Sequence, residues 1–96
     1  MPEQKASQIC IVTVTGQDRV GIIAKLATTM AKANINIVDV NQKIMEDTFV
    51  MTMAVDIGQA TMDMGQIKRQ LDQLGRKMAL KITIQDESIF KAMHRI

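Results

Sequence analysis

Ninety-six residues suffice for one hydrophobic core and no second domain of ordinary size. Hydrophobic residues make up 47% of the chain and charged residues 23%, which excludes a disordered chain; a formal charge of +2 with both signs interspersed nominates neither nucleic acid nor membrane as a partner. The single cysteine, Cys10, excludes an internal disulfide, the polar N-terminal stretch lacks an apolar signal core, and no run approaches membrane-spanning length, so a reducing, cytoplasmic setting is expected.

Residues 1–8 read as a flexible tail, and Ile9 to Thr15, β-branched and without helical period, as a buried strand. Gly16, Gln17 and Asp18 break that pattern. Asp18 is placed to cap a helix with Ile22, Ile23, Leu26, Ala27, Met30 and Ala33 on one side and Lys25, Thr29 and Lys32 in solvent. Asn34 tolerates the turn that ends it. Ile35 to Met45 restores a period of two, Glu46 and Asp47 interrupt it, and Thr48 to Asp56 resumes it, which predicts a hairpin. After a loop at Gly58 to Thr61, Met64, Ile67, Leu71, Leu74 and Met78 recur at helical spacing. Leu80, Ile82 and Ile84 then alternate with Lys81, Thr83 and Gln85 as a fourth strand. The domain proper is expected over 9–85. Residues 86–96 are expected to supply a short terminal helix, with Ile89, Phe90, Met93 and Ile96 as a buried stripe packing on the domain or on a partner subunit.

The order βαββαβ, with right-handed crossovers, predicts an α+β ferredoxin-like sandwich: a four-stranded antiparallel sheet of order 4-1-3-2 with two helices on one face. The third strand offers Phe49, Met51, Met53 and Val55 on one side and Val50, Thr52 and Ala54 on the other. Neither side is strongly polar, so the terminal helix or a second subunit is expected on the bare face.

This topology serves many activities, so function has to be argued from sites. One cysteine cannot hold an iron–sulfur cluster. The two central strands carry Phe49 as their one aromatic, too few to stack RNA bases. The turn TGQDRVG has Arg19 and Gly21 but lacks the longer phosphate loop of acylphosphatases. His94, near the C-terminus, and Cys10, within a strand, make no nucleophile–base pair. The carboxylates Asp39, Glu46, Asp47, Asp56 and Asp86 follow no metal-ligand spacing, so neither metal nor cofactor is expected.

One segment is more specific. TGQDRVGIIAKLATTMAKANINIVDV joins a strand end to a helix start through a polar, glycine-containing turn, and it resembles the ACT-domain family in Asp18, Gly21, Ile22, Ile23, Ala33, Asn36 and Ile37. Val20 stands where many members carry proline, which leaves this loop less rigid. The resemblance covers roughly Ile9 to Ile84, and with the closing segment DESIFKAMHRI the chain looks most like the small standalone ACT proteins of microbes, the glycine-cleavage-repressor-like group.

Read physically, the turn presents a helix N-terminus, whose free N–H groups and dipole favour a carboxylate. Gly21 would clear the approach or simply make the turn; Asp18 would cap the helix or hold an ammonium group; Gln17 would hydrogen-bond a ligand or water. Asn36 begins its strand at the opposite end of the sheet, so pairing of two such strands about a twofold axis would bring a partner's Asn36 to Gly21. The resemblance implies a side-by-side dimer that binds an amino acid at its interface. The implied ligand contacts are Gln17, Asp18, Val20, Gly21, Ile22 and Asn36, with Ile37 and Asp39 along the pairing edge. The expected function is thus non-catalytic: a homodimer or higher homo-oligomer responding to a small-molecule effector, with a regulated protein as a further partner. The alternative is a protein–protein assembly module without a ligand, relying on Met51, Met53 or Phe90.

Overall fold

The computed structural model describes residues 6–17 and 20–93. The β-branched opening run forms β1, Ile9–Gln17, longer than expected: Gly16 continues the strand because it pairs with Phe49 on one side and Leu80 on the other. There follow α1 (Ile22–Lys32), β2 (Asn36–Met45), β3 (Thr48–Asp56), α2 (Met64–Met78), β4 (Leu80–Asp86) and α3 (Glu87–Met93). The sheet order is β2-β3-β1-β4, with every neighbouring pair antiparallel, which is the expected 4-1-3-2 arrangement read from the other edge.

Alternation decides which face is covered. Cys10, Val12 and Val14 of β1, Phe49, Met51, Met53 and Val55 of β3, and Leu80, Ile82 and Ile84 of β4 are buried on one face. Ile22, Leu26 and Met30 of α1 and Ile67 and Leu71 of α2 close over them. Burial of such a side chain contributes roughly 1.5–3 kcal/mol. Thioethers fill the gaps between branched chains in this core, and Phe49 is its one aromatic ring.

The connections are local chemistry. Asn34 adopts a left-handed φ of 56° after α1, and its side-chain N–H donates to the Gln59 carbonyl at 2.9 Å, which fastens that corner to the β3–α2 loop. The hairpin turns without glycine because Glu46 accepts a φ of 59°. At the start of α2, Asp63 accepts from the Gln66 N–H at 2.8 Å while the Gln66 side chain accepts from the Asp63 N–H at 3.0 Å, a reciprocal capping box.

Three expectations change. Ile23 is 45% exposed: it lies at the rim of the stripe that Ile22, Leu26 and Met30 form, about 20° beyond Met30. Thr29, expected in solvent, is half-buried, its hydroxyl donating to the Lys25 carbonyl. The stripe of the terminal helix is not buried either: Ile89 and Met93 are exposed and Phe90 is half-buried, while Ile96 lies outside the described residues. The cause is geometric. α3 starts immediately after β4, its first turn tied by Ser88 donating to the Asp86 carboxylate, and two turns of helix resting against β1 and β4 cover only part of the bare face.

Candidate functional site at the β1–α1 turn and the β2 edge

Three chain segments meet at one end of the sheet: the end of β1, the tip of the β2–β3 hairpin and the start of β4. Gln17 lies opposite Thr48, and Gly16 opposite Phe49 and Leu80. A β-carbon on Gly16 would approach the Leu80 side chain to 2.6 Å, so glycine here lets β4 seat against β1 just before the turn.

The turn then enters α1 through Gly21, the N-cap residue, at φ 90° and ψ 2°. Its carbonyl accepts the Lys25 N–H at 3.0 Å, the first bond of the helix. A β-carbon at Gly21 would meet nothing within 4 Å. The left-handed angle favours glycine here, and the volume in front of it is open. The N-cap being glycine, no side chain at that position caps the helix. Asp18, expected as the cap or as an ammonium ligand, lies outside the described residues.

Around Gly21 the side chains divide by role. Val20 is fully exposed on the outside of the turn, and Gln17 is exposed at the strand end. Ile22 is buried in the core, which anchors the turn and leaves only its backbone facing outward. The other three candidates sit elsewhere. Asn36 pairs with Asp56, seven steps along β3 from Phe49 or about 23 Å at strand rise, and Ile37 pairs with Val55 one step nearer. Within one chain, Gln17, Val20, Gly21 and Ile22 form one group and Asn36, Ile37 and Asp39 another.

The strand linking those groups is itself unusual. β2 is an edge strand on which every side chain but the half-buried Ile37 is exposed. A register shift between Ile37 and Asp39 bulges the chain at Val38, and beyond it the Asp39 carboxylate accepts the Val40 N–H at 2.9 Å. Val40 and Ile44 lie opposite Met53 and Phe49, on the helix-covered side of the sheet, yet are 43% and 58% exposed because α1 does not extend over them. Sequence reasoning missed this apolar shelf. Its signal was Gln42, a polar side chain placed between them where a covered strand would carry an aliphatic one.

The far end of the sheet has its own electrostatics. The Asp56 carboxylate accepts the N–H groups of Gly58 at 2.9 Å and Gln8 at 3.0 Å, and with a further bond from Ser7 these hold its pKa below the usual carboxylate value. Asp86 is held down in the same way by the Ser88 hydroxyl and N–H. Burial pushes the Cys10 thiol up, and the nearby charges of Asp86 and Asp56 push it further, which opposes thiolate chemistry. Among the described residues no group of three or more His, Cys, Asp or Glu side chains gathers, and no helix is long and apolar enough to cross a membrane.

The ACT-domain family model matches residues 8–85. The chain is 43% identical over 86 residues to a UPF0237 protein of Methanocaldococcus jannaschii, covering 90% of this chain and 96% of that one. Its fold is similar to that of an ACT domain protein from Streptococcus pneumoniae, with a TM-score of 0.77 at 28% identity, covering 90% of this chain and 97% of that one. A formyltetrahydrofolate deformylase from Pseudomonas syringae carries the same fold inside a longer chain: TM-score 0.76 at 18% identity, over 84% of this chain but 28% of that one. The turn through Gly21, the βαββαβ order and the match over nearly the whole length agree, and the chain is a member of the ACT-domain family.

Proposed function

We propose that this protein is a cytoplasmic, non-catalytic regulatory domain that binds a small ligand, an amino acid, between the β1–α1 turn of one copy and Asn36 of a second. The observation that carries this reading is the 23 Å scale separation of two complementary half-sites. One half offers the N-terminal N–H groups of α1, where the cap residue has no side chain and the space is open. These suit a carboxylate. The other half offers an exposed amide side chain at the start of an exposed edge strand. Antiparallel pairing of two β2 edges exchanges the ends of the strand, so each copy completes the other's site. Gln17 and Asp18 supply polar contacts for an ammonium or side-chain group.

Such a site makes ligand occupancy and dimer stability one linked equilibrium, which is what a regulatory domain needs to report a metabolite to a protein partner. The test is a thermal-shift screen of the common amino acids on wild-type protein and Asn36→Ala. Asn36 is exposed, so its loss leaves the fold unchanged. One amino acid is expected to raise the wild-type midpoint and leave the variant's unmoved. If none shifts the midpoint of a stable dimer, the small-ligand reading falls, and the family's fold serves here as an assembly module, with the exposed Ile89 and Met93 on α3 as the first surface to probe.

A further inference from the structure

We propose that the groove between α1 and α2 docks an acidic amphipathic helix of a partner protein. This surface is separate from the β1–α1 turn and from the β2 edge, and it does not depend on a ligand there. Its first sign is a segregation of charge that the small net value hides. α1 and α2 together carry six of the chain's twelve Lys and Arg residues but, in Asp72, one of its ten Asp and Glu residues. A surface of one sign steers and selects a partner of the other.

The groove follows from where each helix places its apolar stripe. Ile22, Leu26 and Met30 of α1 and Ile67 and Leu71 of α2 are committed to the core over the sheet, so the helix flanks that face each other carry other chemistry. Between them lies a space of about 460 Å³. Lys25 and Lys32 stand on the α1 wall and Lys77 on the α2 wall, all exposed, over a half-buried floor of Met62, Leu74 and Met78. α1 runs from the Gly21 end of the sheet to the Asn36 end, and α2 returns the other way to Leu80, which opposes Gly16. Lys25 and Lys77 therefore share one end of the groove and Lys32 marks the other, where the Thr61 N–H donates to the Ala33 carbonyl at 2.9 Å and ties the end of α1 to the approach to α2. No carboxylate lines the groove, and among the described residues none of its three ammonium groups has an ion pair.

Three features choose the occupant. Lys25 and Lys32 are seven residues apart, roughly 10 Å along a helix, and Lys77 lies on the opposite wall, so no single phosphate or carboxylate reaches all three. The hydroxyls of Thr28 and Thr29 donate to the Ala24 and Lys25 carbonyls of their own helix, which leaves no hydroxyl donor for a small anion. The floor is leucine and thioether, which a nucleic-acid backbone does not cover and which a flat bilayer surface, resting on the walls, does not reach. A helix laid in the groove meets all three conditions. Carboxylates seven residues apart face Lys25 and Lys32, and apolar residues between them, at helical spacing, sit on Leu74 and the adaptable side chains of Met62 and Met78. The Lys25 N–H also donates to the Gly21 carbonyl at 3.0 Å, which sets the near end of the groove one helical turn from the β1–α1 turn.

The test selects binders of the full-length protein from a displayed library of random peptides of about 16 residues, long enough for a marginal helix, and measures the enriched peptides by fluorescence anisotropy. The enriched sequences are expected to be amphipathic, with Asp or Glu seven residues apart and an apolar stripe between. Lys25→Glu combined with Lys77→Glu is expected to weaken their binding roughly tenfold or more, and Lys25→Arg combined with Lys77→Arg to keep it within about threefold. Both positions are exposed, and unchanged circular dichroism and melting midpoints verify that each variant folds. Leu74→Gln, on the floor, is expected to weaken binding by a similar factor without changing any charge. Enrichment of peptides that lack acidic residues, or equal binding to the wild type and the glutamate double variant, overturns the proposal. So does binding of single-stranded DNA, or of vesicles of one part phosphatidylglycerol to three of phosphatidylcholine, that displaces the peptides and is indifferent to Leu74→Gln, because the groove is then a general polyanion surface.

Discussion

The two edges of the sheet solve the same problem in opposite ways. β4 is short, alternates buried Leu80, Ile82 and Ile84 with outward Lys81 and Thr83, and lies against α2 on one face and the start of α3 on the other. β2 is three residues longer, nearly all exposed, and left bare by α1 on the side where Val40 and Ile44 point. An edge with a charge on it and helices around it is finished within the chain. The contrast teaches that β4 belongs to the fold and β2 to the assembly.

The largest effect that sharpens this contrast is a truncation on the finished edge. Ile82→Ala should destabilise the protein by about 2–5 kcal/mol, because it empties a packed position under α2, and the loss should be independent of protein concentration in urea unfolding. Val40→Ala on the open edge should instead leave the monomer within about 0.5 kcal/mol of wild type and show its effect in the dimer dissociation constant. Equal losses at both positions would erase the distinction.

Next in size is the turn that joins the edges' common end. Gly21→Ala should cost roughly 1–2 kcal/mol through its left-handed backbone alone, since the added methyl meets no neighbour. Gly21→Asn, a residue that tolerates that region, should recover part of the loss in the same thermal melts. A clash-driven mechanism predicts that asparagine, the larger side chain, does worse.

Acid separates the two ends of the sheet. Asp56 and Asp86 have folded-state pKa values below their ordinary 3.8, so the folded chain binds fewer protons than the unfolded one. The stability they confer is present above that pH and is lost as pH falls through their depressed values. Asp56→Asn should flatten the decline of the melting midpoint below about pH 4. Its effect on dimerisation at neutral pH should be absent, because Asp56 lies on β3 and not on the β2 edge.

The smallest predicted change in stability is at Asn36. Asn36→Ala should leave the midpoint of the free protein unmoved while removing any amino-acid-induced rise, a difference between liganded and free melts that no structural role of an exposed side chain would produce.

Much of this was legible in the residues. Alternation in β1, β3 and β4 and the helical recurrence from Met64 to Met78 fixed the elements because each has one buried face and one free one. The hairpin was visible through Glu46 and Asp47 even without glycine, since a single left-handed residue sufficed. What escaped was set by neighbours and not by period. Ile23, Ile89 and Met93 are apolar at helical spacing, but among the described residues no element buries them. Gly16 looked like a strand end because glycine interrupts a pattern of side chains, whereas the backbone ladder ran on through it to Gln17. At the site, Gly21 was legible as a turn glycine at a helix start, and the structure adds its left-handed angle. The distance between Gly21 and Asn36 followed from chain direction alone. The bulge at Val38, which decides the face of Asp39, has no sequence signature.

Amide hydrogen exchange on the wild-type protein, read across a dilution series, tests the central claim most directly. The N–H groups of β2 between Asp39 and Lys43 should be protected at high protein concentration and lose that protection as the dimer dissociates, while those of β4 keep theirs throughout. Rapid exchange along β2 at every concentration, with the protein still dimeric by mass, would contradict the account.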